Sequence, residues 1–162
     1  MSGWIERENP TRPGEIVGRV PLSTPSDVDA AVRAAHVAAR EWGATPLADR
    51  LDRLRAAAAA LPEHNDRLGR LLAQEVGKPF ADSRGEIGYS QVLLHHNLDR
   101  APEVLADEVV DDAEGRMLIQ RKPFGVVAAI TPWNSPLVLS ILKVAPALAA
   151  GNAVVVKPSP LA

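Results

Sequence analysis

Between Pro123 and Pro160 the chain reads PFGVVAAITPWNSPLVLSILKVAPALAAGNAVVVKPSP, and no other stretch limits the fold as tightly. Two short apolar runs, Val126–Ile130 and Ala153–Val156, flank a segment predicted to be helical over Pro136–Val144. A second helical turn is expected over Pro146–Ala150, stopped by Gly151. A continuous apolar run, rather than an alternating one, predicts a strand covered on both faces. A strand, helix, strand connection within one sheet is right-handed and parallel, so both strands end on the same edge. Neighbouring strands lie about 5 Å apart. Each run ends in a polar motif, TPWNSP after the first and KPSP after the second. Open parallel sheets bind ligands at the carboxyl ends of their strands. Topology alone therefore gathers Asn134 and Lys157 at one crevice, and the fold class is α/β.

The upstream part reads as helices after a turn-rich start. Glu15–Val20 is a short strand candidate. Ser26 followed by Asp29 has the spacing of a capping box. The helix after it, Asp27–Trp42, places Val28, Ala31, Val32, Ala35, Ala38, Ala39 and Trp42 on one face, and Gly43 is expected to end it. Thr45–Pro46 opens a second helix with an apolar stripe of Leu47, Leu51, Leu54 and Leu61, interrupted by Pro62. A third runs to Val76 with Leu68, Leu71, Leu72 and Val76 aligned. There Gly77 supplies a left-handed stop, and Lys78–Pro79 forbids continuation. A fourth covers Ala81–Ala101, ended by Pro102. Asp107–Val110, Asp111–Gly115 and Arg116–Arg121 read as strand, turn and strand, a hairpin of the kind that pairs with a sheet edge, often in a partner subunit. The chain thus divides into 1–106, mainly helical; 107–122, a hairpin arm; and 123–162, one βαβ unit.

Composition narrows the function. With 162 residues, 46% hydrophobic and 23% charged, the chain is long and apolar enough for a core. Its net charge of -2 and lack of a polybasic run argue against nucleic acid and against an anionic membrane surface. The start, MSGWIERENP, is unlike a signal peptide, and Pro, Lys or Asn interrupts every apolar run, so a cytoplasmic protein is expected. There is no cysteine, which removes disulfides, thiolate metal sites and a cysteine nucleophile within the chain. The four histidines are poorly spaced for a metal. His95 and His96 are adjacent, point apart on a helix, and read as surface or packing residues. No metal site is expected.

Neither a G-x-G-x-x-G fingerprint nor a Walker A loop follows the first strand of the βαβ unit. The side-chain amide of Asn134 can donate to an oxygen that turns negative in a transition state. Asn134 and Ser135 are equally suited to cap the helix, and on local chemistry the cap ranks first. Lys157 can hold a ribose hydroxyl or a phosphate, or simply be a solvated lysine at a strand end; the two readings stand level.

The same motifs resemble the aldehyde dehydrogenase superfamily, whose P-x-G-V-V-x-x-I-x-P-W-N-x-P and A-P-A-L-A-x-G-N-x-V-V-x-K-P-S are matched densely over Pro123–Ser159. The resemblance continues upstream through PTRPGEIVGRVP, DVDAAVRAAHVAAREW, the helix start at Pro46–Arg50 and EVGKP at Glu75–Pro79, nearly the whole chain. It implies a parallel Rossmann-like sheet begun by the βαβ unit, with 1–106 the helical part of a cofactor-binding domain and the hairpin an oligomerisation arm. It implies NAD or NADP as cofactor, a small-molecule aldehyde as substrate and a homo-oligomer. Asn134 then resembles the amide that holds the substrate oxygen. Ile130, Thr131, Pro132 and Trp133 resemble the cofactor-lining strand end. Lys157 resembles the ribose- or phosphate-binding lysine, and Ser159 and Pro160 lie towards the adenosine. Lys143 matches a lysine sometimes assigned to proton relay. Two departures stand out. Ser135 replaces a common aromatic near the substrate tunnel, and Pro160 replaces a glutamate that would accept ribose hydroxyls and repel a 2′-phosphate. NADP use or dual specificity gains ground from the second. The family's cysteine nucleophile and glutamate base fall beyond residue 162, so the chain reads as an N-terminal portion expected to be inactive alone.

Overall fold

The computed structural model describes residues 3–162. It opens with an antiparallel pair, β1 (Trp4–Glu8) and β2 (Ile16–Pro21), irregular between Arg7 and Glu8. β2 falls where a strand is expected. β1 escapes the sequence reading because three of the five residues of WIERE are charged; it is a ribbon strand with one side in solvent.

Helix α1 spans Pro25–Ala44 and starts earlier than expected. Its cap is Thr24 rather than Ser26: Thr24 Oγ1 accepts from the Asp27 amide, and Asp27 Oδ2 accepts from the Thr24 amide at 2.8 Å. Pro25 at the first helical position lacks only a donor that would go unused there, so the capping box shifts to include it. Gly43 does not end the helix. Thr45 does, its amide and hydroxyl both donating to the Glu41 carbonyl, and it therefore closes α1 instead of opening α2. Val32, Ala35, Ala39 and Trp42 turn inward, while Val28, Ala31 and Ala38 lie outside.

Helix α2 (Leu47–Ala59), a 3-10 turn (Pro62–His64) and helix α3 (Asn65–Val76) follow. Gly77 ends α3 with φ 75°, as expected for a left-handed stop. Helix α4 (Phe80–Val104) is the central element, packed against α2, α3 and α5. Contrary to expectation, Pro102 lies inside it. The Leu105 amide reaches the Ala101 carbonyl at 2.9 Å and completes the last turn across the proline, which deletes a single donor. The core joins Leu51 and Ala58 of α2, Leu94, Leu98 and Ala101 of α4, and Ala145 and Ala149 of α5, where small residues let the helices approach closely.

The hairpin is β3 (Glu108–Asp112) and β4 (Gly115–Ile119). Its turn, Ala113–Glu114, is tighter than the expected 111–115, because Asp112 Oδ1 accepts from the amides of both Glu114 and Gly115. Strand β5 (Val126–Ile130), helix α5 (Pro136–Ala149) and strand β6 (Ala153–Lys157) form the βαβ unit, with β5 and β6 parallel from Val126↔Ala153 to Ile130↔Lys157. Two expectations are corrected here. Helix α5 is continuous through Pro146, since Ala150 still bonds back to the Pro146 carbonyl and Ala145 and Ala149 bury on either side. And β5 is covered on one face only: Ala129 and Thr131 are buried, whereas Ala128 and Ile130 are exposed.

Candidate functional site

The two strand-end motifs leave the sheet side by side. Beyond the Ile130↔Lys157 pair, the Thr131 amide donates to the Lys157 carbonyl at 3.1 Å. Ile130 is 70% exposed and Trp133 50%, and Pro132, Asn134, Lys157 and Pro160 are exposed as well. Thr131 is the buried member, at 3%, and its hydroxyl has no hydrogen-bond partner among the described residues. Ser159 sits half-buried in a tight turn, its hydroxyl accepting from the Leu161 amide at 3.1 Å. The edge expected to gather Asn134 and Lys157 is thus formed by both motifs.

The start of α5 decides what Asn134 is free to do. Ser135 occupies the cap position but makes no side-chain cap bond. The role is taken from a distance. Glu86 of α4, 8% exposed, accepts through Oε1 from the amides of Leu137 at 3.1 Å and Val138 at 3.4 Å. Its Oε2 lies 2.5 Å from Lys78 Nζ, and the same ammonium donates to Ser135 Oγ at 3.2 Å. A carboxylate at a helix N-terminus is favoured by the unpaired amides and by the helix dipole. Sequence reasoning missed Glu86. The available signal was its place in the stripe Ser83, Ile87, Ser90 and Leu94, which marks it as an inward-facing charge on a helix that covers another element.

The other end of α5 is also held by side chains distant in sequence. Trp42 Nε1 of α1 donates to the Leu148 carbonyl at 2.8 Å. Arg50 of α2 donates through Nε to the Ala149 carbonyl at 3.1 Å and through a terminal nitrogen to the Thr45 carbonyl. Burial lowers the pKa of the Arg50 guanidinium from its usual value. Gly151 has φ 90°, and a methyl group on Gly43 would lie 3.2 Å from its carbonyl oxygen, so α1 and the end of α5 meet glycine against glycine. Asn152, buried, accepts from the Gly125 amide and donates to the Ala147 carbonyl, joining the starts of both parallel strands to the helix.

What remains on the edge is an amide donor, a cation and apolar surface. No carboxylate pairs with Lys157 among the described residues. An exposed ammonium on the strand neighbouring Ile130, with the exposed Trp133 in the turn that follows, suits an anionic, ring-bearing ligand such as a nucleotide. The ammonium of Lys143, by contrast, bonds back to the Leu139 carbonyl of its own helix at 3.1 Å. A separate groove of about 190 Å³ runs between α3, α4 and α5, lined by Leu68, Leu72, Glu75, Ile87, Leu137 and Ser140. Burial raises the Glu75 carboxyl there, and the charge of Arg7 opposes that shift.

Comparison with known proteins shows the family and the fold. Over 159 residues the chain is 40% identical to 3,6-anhydro-alpha-L-galactose dehydrogenase of Streptomyces coelicolor, covering 98% of this chain and 32% of that protein. It is 36% identical over 156 residues to the NADP(+) succinate-semialdehyde dehydrogenase of Escherichia coli, with 96% and 32% covered. Its fold superposes with a TM-score of 0.92 on the crystal structure of an NADP-dependent glyceraldehyde-3-phosphate dehydrogenase of Bacillus halodurans complexed with NADP, at 33% identity, over 98% of this chain and 34% of that one. The chain therefore spans about a third of the length of these relatives. The profile of the aldehyde dehydrogenase family matches residues 2–162, and the chain belongs to that family.

Proposed function

We propose that the chain is the N-terminal part of an NAD(P)-dependent aldehyde dehydrogenase that oxidises an aldehyde to a carboxylic acid, working in the cytoplasm as a homo-oligomer. The observation that carries this reading is the remote cap. Because Glu86 holds the first amides of α5, Asn134 is relieved of capping and stands exposed on the edge it shares with Lys157. In this reading the Asn134 amide donates to the aldehyde oxygen as negative charge builds on it. Lys157 binds a ribose hydroxyl or a phosphate, Ser159 and Pro160 lie towards the adenosine, and Ile130, Thr131, Pro132 and Trp133 line the cofactor. A bound nicotinamide nucleotide supplies the hydride acceptor. Residues 1–106 and 123–162 belong to the cofactor-binding domain, and 107–122 is the oligomerisation arm; half-exposed Val109, Met117 and Leu118 on the hairpin favour such a contact. With no cysteine, the chain itself brings no thiolate to attack the aldehyde.

Pro160 places no carboxylate against a 2′-phosphate, which favours NADP or dual use. Calorimetric titration of both nucleotides into the chain tests the reading. Lys157→Met should weaken binding roughly tenfold, the loss of one charge-assisted contact. Failure of both nucleotides to bind would sink the proposal, and a strong preference for NAD would remove only the NADP part.

A further inference from the structure

We infer that Lys78 and Glu86 are a positioning pair that sets where the Asn134 turn sits, an inference that rests on the role proposed for Asn134. The turn from Thr131 to Ser135 is anchored at its strand end by the Thr131 amide on the Lys157 carbonyl. Its helix end has no local anchor, because Ser135 makes no cap bond of its own. Both oxygens of Glu86 are committed there: Oε1 to the amides of Leu137 and Val138, Oε2 to Lys78. The ammonium of Lys78 closes the arrangement on Ser135 Oγ, next to Asn134 in sequence. The backbone is constrained at both partners. Glu86 lies inside the central helix α4, and Lys78 sits between the left-handed stop at Gly77 and Pro79. A donor aimed at a transition state loses its effect when displaced by about an ångström, so a rigid support beneath it is a functional requirement.

Residue-resolved amide exchange and the Asn134 side-chain signals of the intact chain, recorded without nucleotide, test the inference. Glu86→Ala should speed exchange at Leu137 and Val138 roughly tenfold over that at Leu93, in the interior of α4, and should shift the Asn134 side-chain signals. Glu86→Gln keeps an acceptor oxygen and should restore most of the protection. Lys78→Met should shift the Asn134 signals, and Lys78→Arg should bring them back. The inference is overturned if Asn134 does not respond to either alanine or methionine, if Leu93 accelerates as much as Leu137, or if Leu137 and Val138 are unprotected in the unsubstituted chain. Nucleotide titration separates the two readings. The expected exchange pattern without nucleotide binding defeats the proposed function and leaves the pair, whereas binding without the pattern defeats the pair alone.

Discussion

Arg50 and Ala149, 99 residues apart in the chain, are joined by a 3.1 Å hydrogen bond from a buried guanidinium to a helix-end carbonyl. The positive charge faces the negative end of α5, and the same guanidinium also satisfies the carbonyl of Thr45. One side chain thus satisfies two backbone acceptors, a buried one at the end of α5 and a partly buried one at the end of α1.

Arg50→Met should lower unfolding stability by about 3 kcal/mol, read as a lower urea midpoint, because it strands both carbonyls. Arg50→Lys should recover only part of this, since an ammonium cannot reproduce the planar fork. A lysine variant as stable as the parent would show that charge alone matters at this site.

Two carboxyls should pull the pH dependence in opposite directions. Hydrogen bonds from the Thr24 amide and hydroxyl hold Asp27 below the usual aspartate value. Its contribution is therefore present above the unfolded pKa and lost as pH falls through the folded one. Burial raises Glu75, so its contribution is present below the unfolded pKa and lost as pH rises through the folded one. Urea titrations across the acid range should show Asp27→Asn removing an acid-sensitive increment, and Glu75→Gln gaining stability near neutrality relative to the parent.

Gly77→Ala should be more costly than an ordinary glycine replacement. The position has φ 75°, and a methyl group there would lie 2.9 Å from Pro10 Cγ. A loss of about 1–2 kcal/mol from backbone conformation is expected, with the clash added. Thermal unfolding of the variant measures it; an unchanged midpoint would mean that the Pro10 turn gives way freely.

The chain alone, given an aldehyde and NAD or NADP, should produce no reduced nucleotide, because it contains no cysteine to form a thiohemiacetal. Absorbance of the reduced nicotinamide follows this directly. Steady turnover would require a different nucleophile and would overturn the proposed division of the site.

The parallel unit was legible in sequence because its evidence is local: two β-branched runs, a helix between them, and polar motifs at both strand ends. Gly77 was legible for the same reason. What escaped depends on partners distant in sequence. Asn134 and Ser135 look like caps until Glu86 arrives from α4, 51 residues earlier than Leu137. Pro102 and Pro146 look like helix ends until the backbone bonds beyond each, Leu105 to Ala101 and Ala150 to Pro146, carry the helix through. The buried side of β5 was legible, but its open side was not, since an apolar run does not say how many neighbours a strand has in a given chain.

Helix α5 has its ends held by Glu86, Arg50 and Trp42, and every one of these is made by the ribosome well before the helix itself. The separations are 51, 99 and 106 residues. During vectorial synthesis α5 therefore emerges towards a receptacle whose acid, base and indole are already tethered nearby. In refolding from denaturant that order is lost, and closing three long loops at once falls on the chain together. The segment should accordingly reach its native packing more readily as it is translated than when diluted from urea.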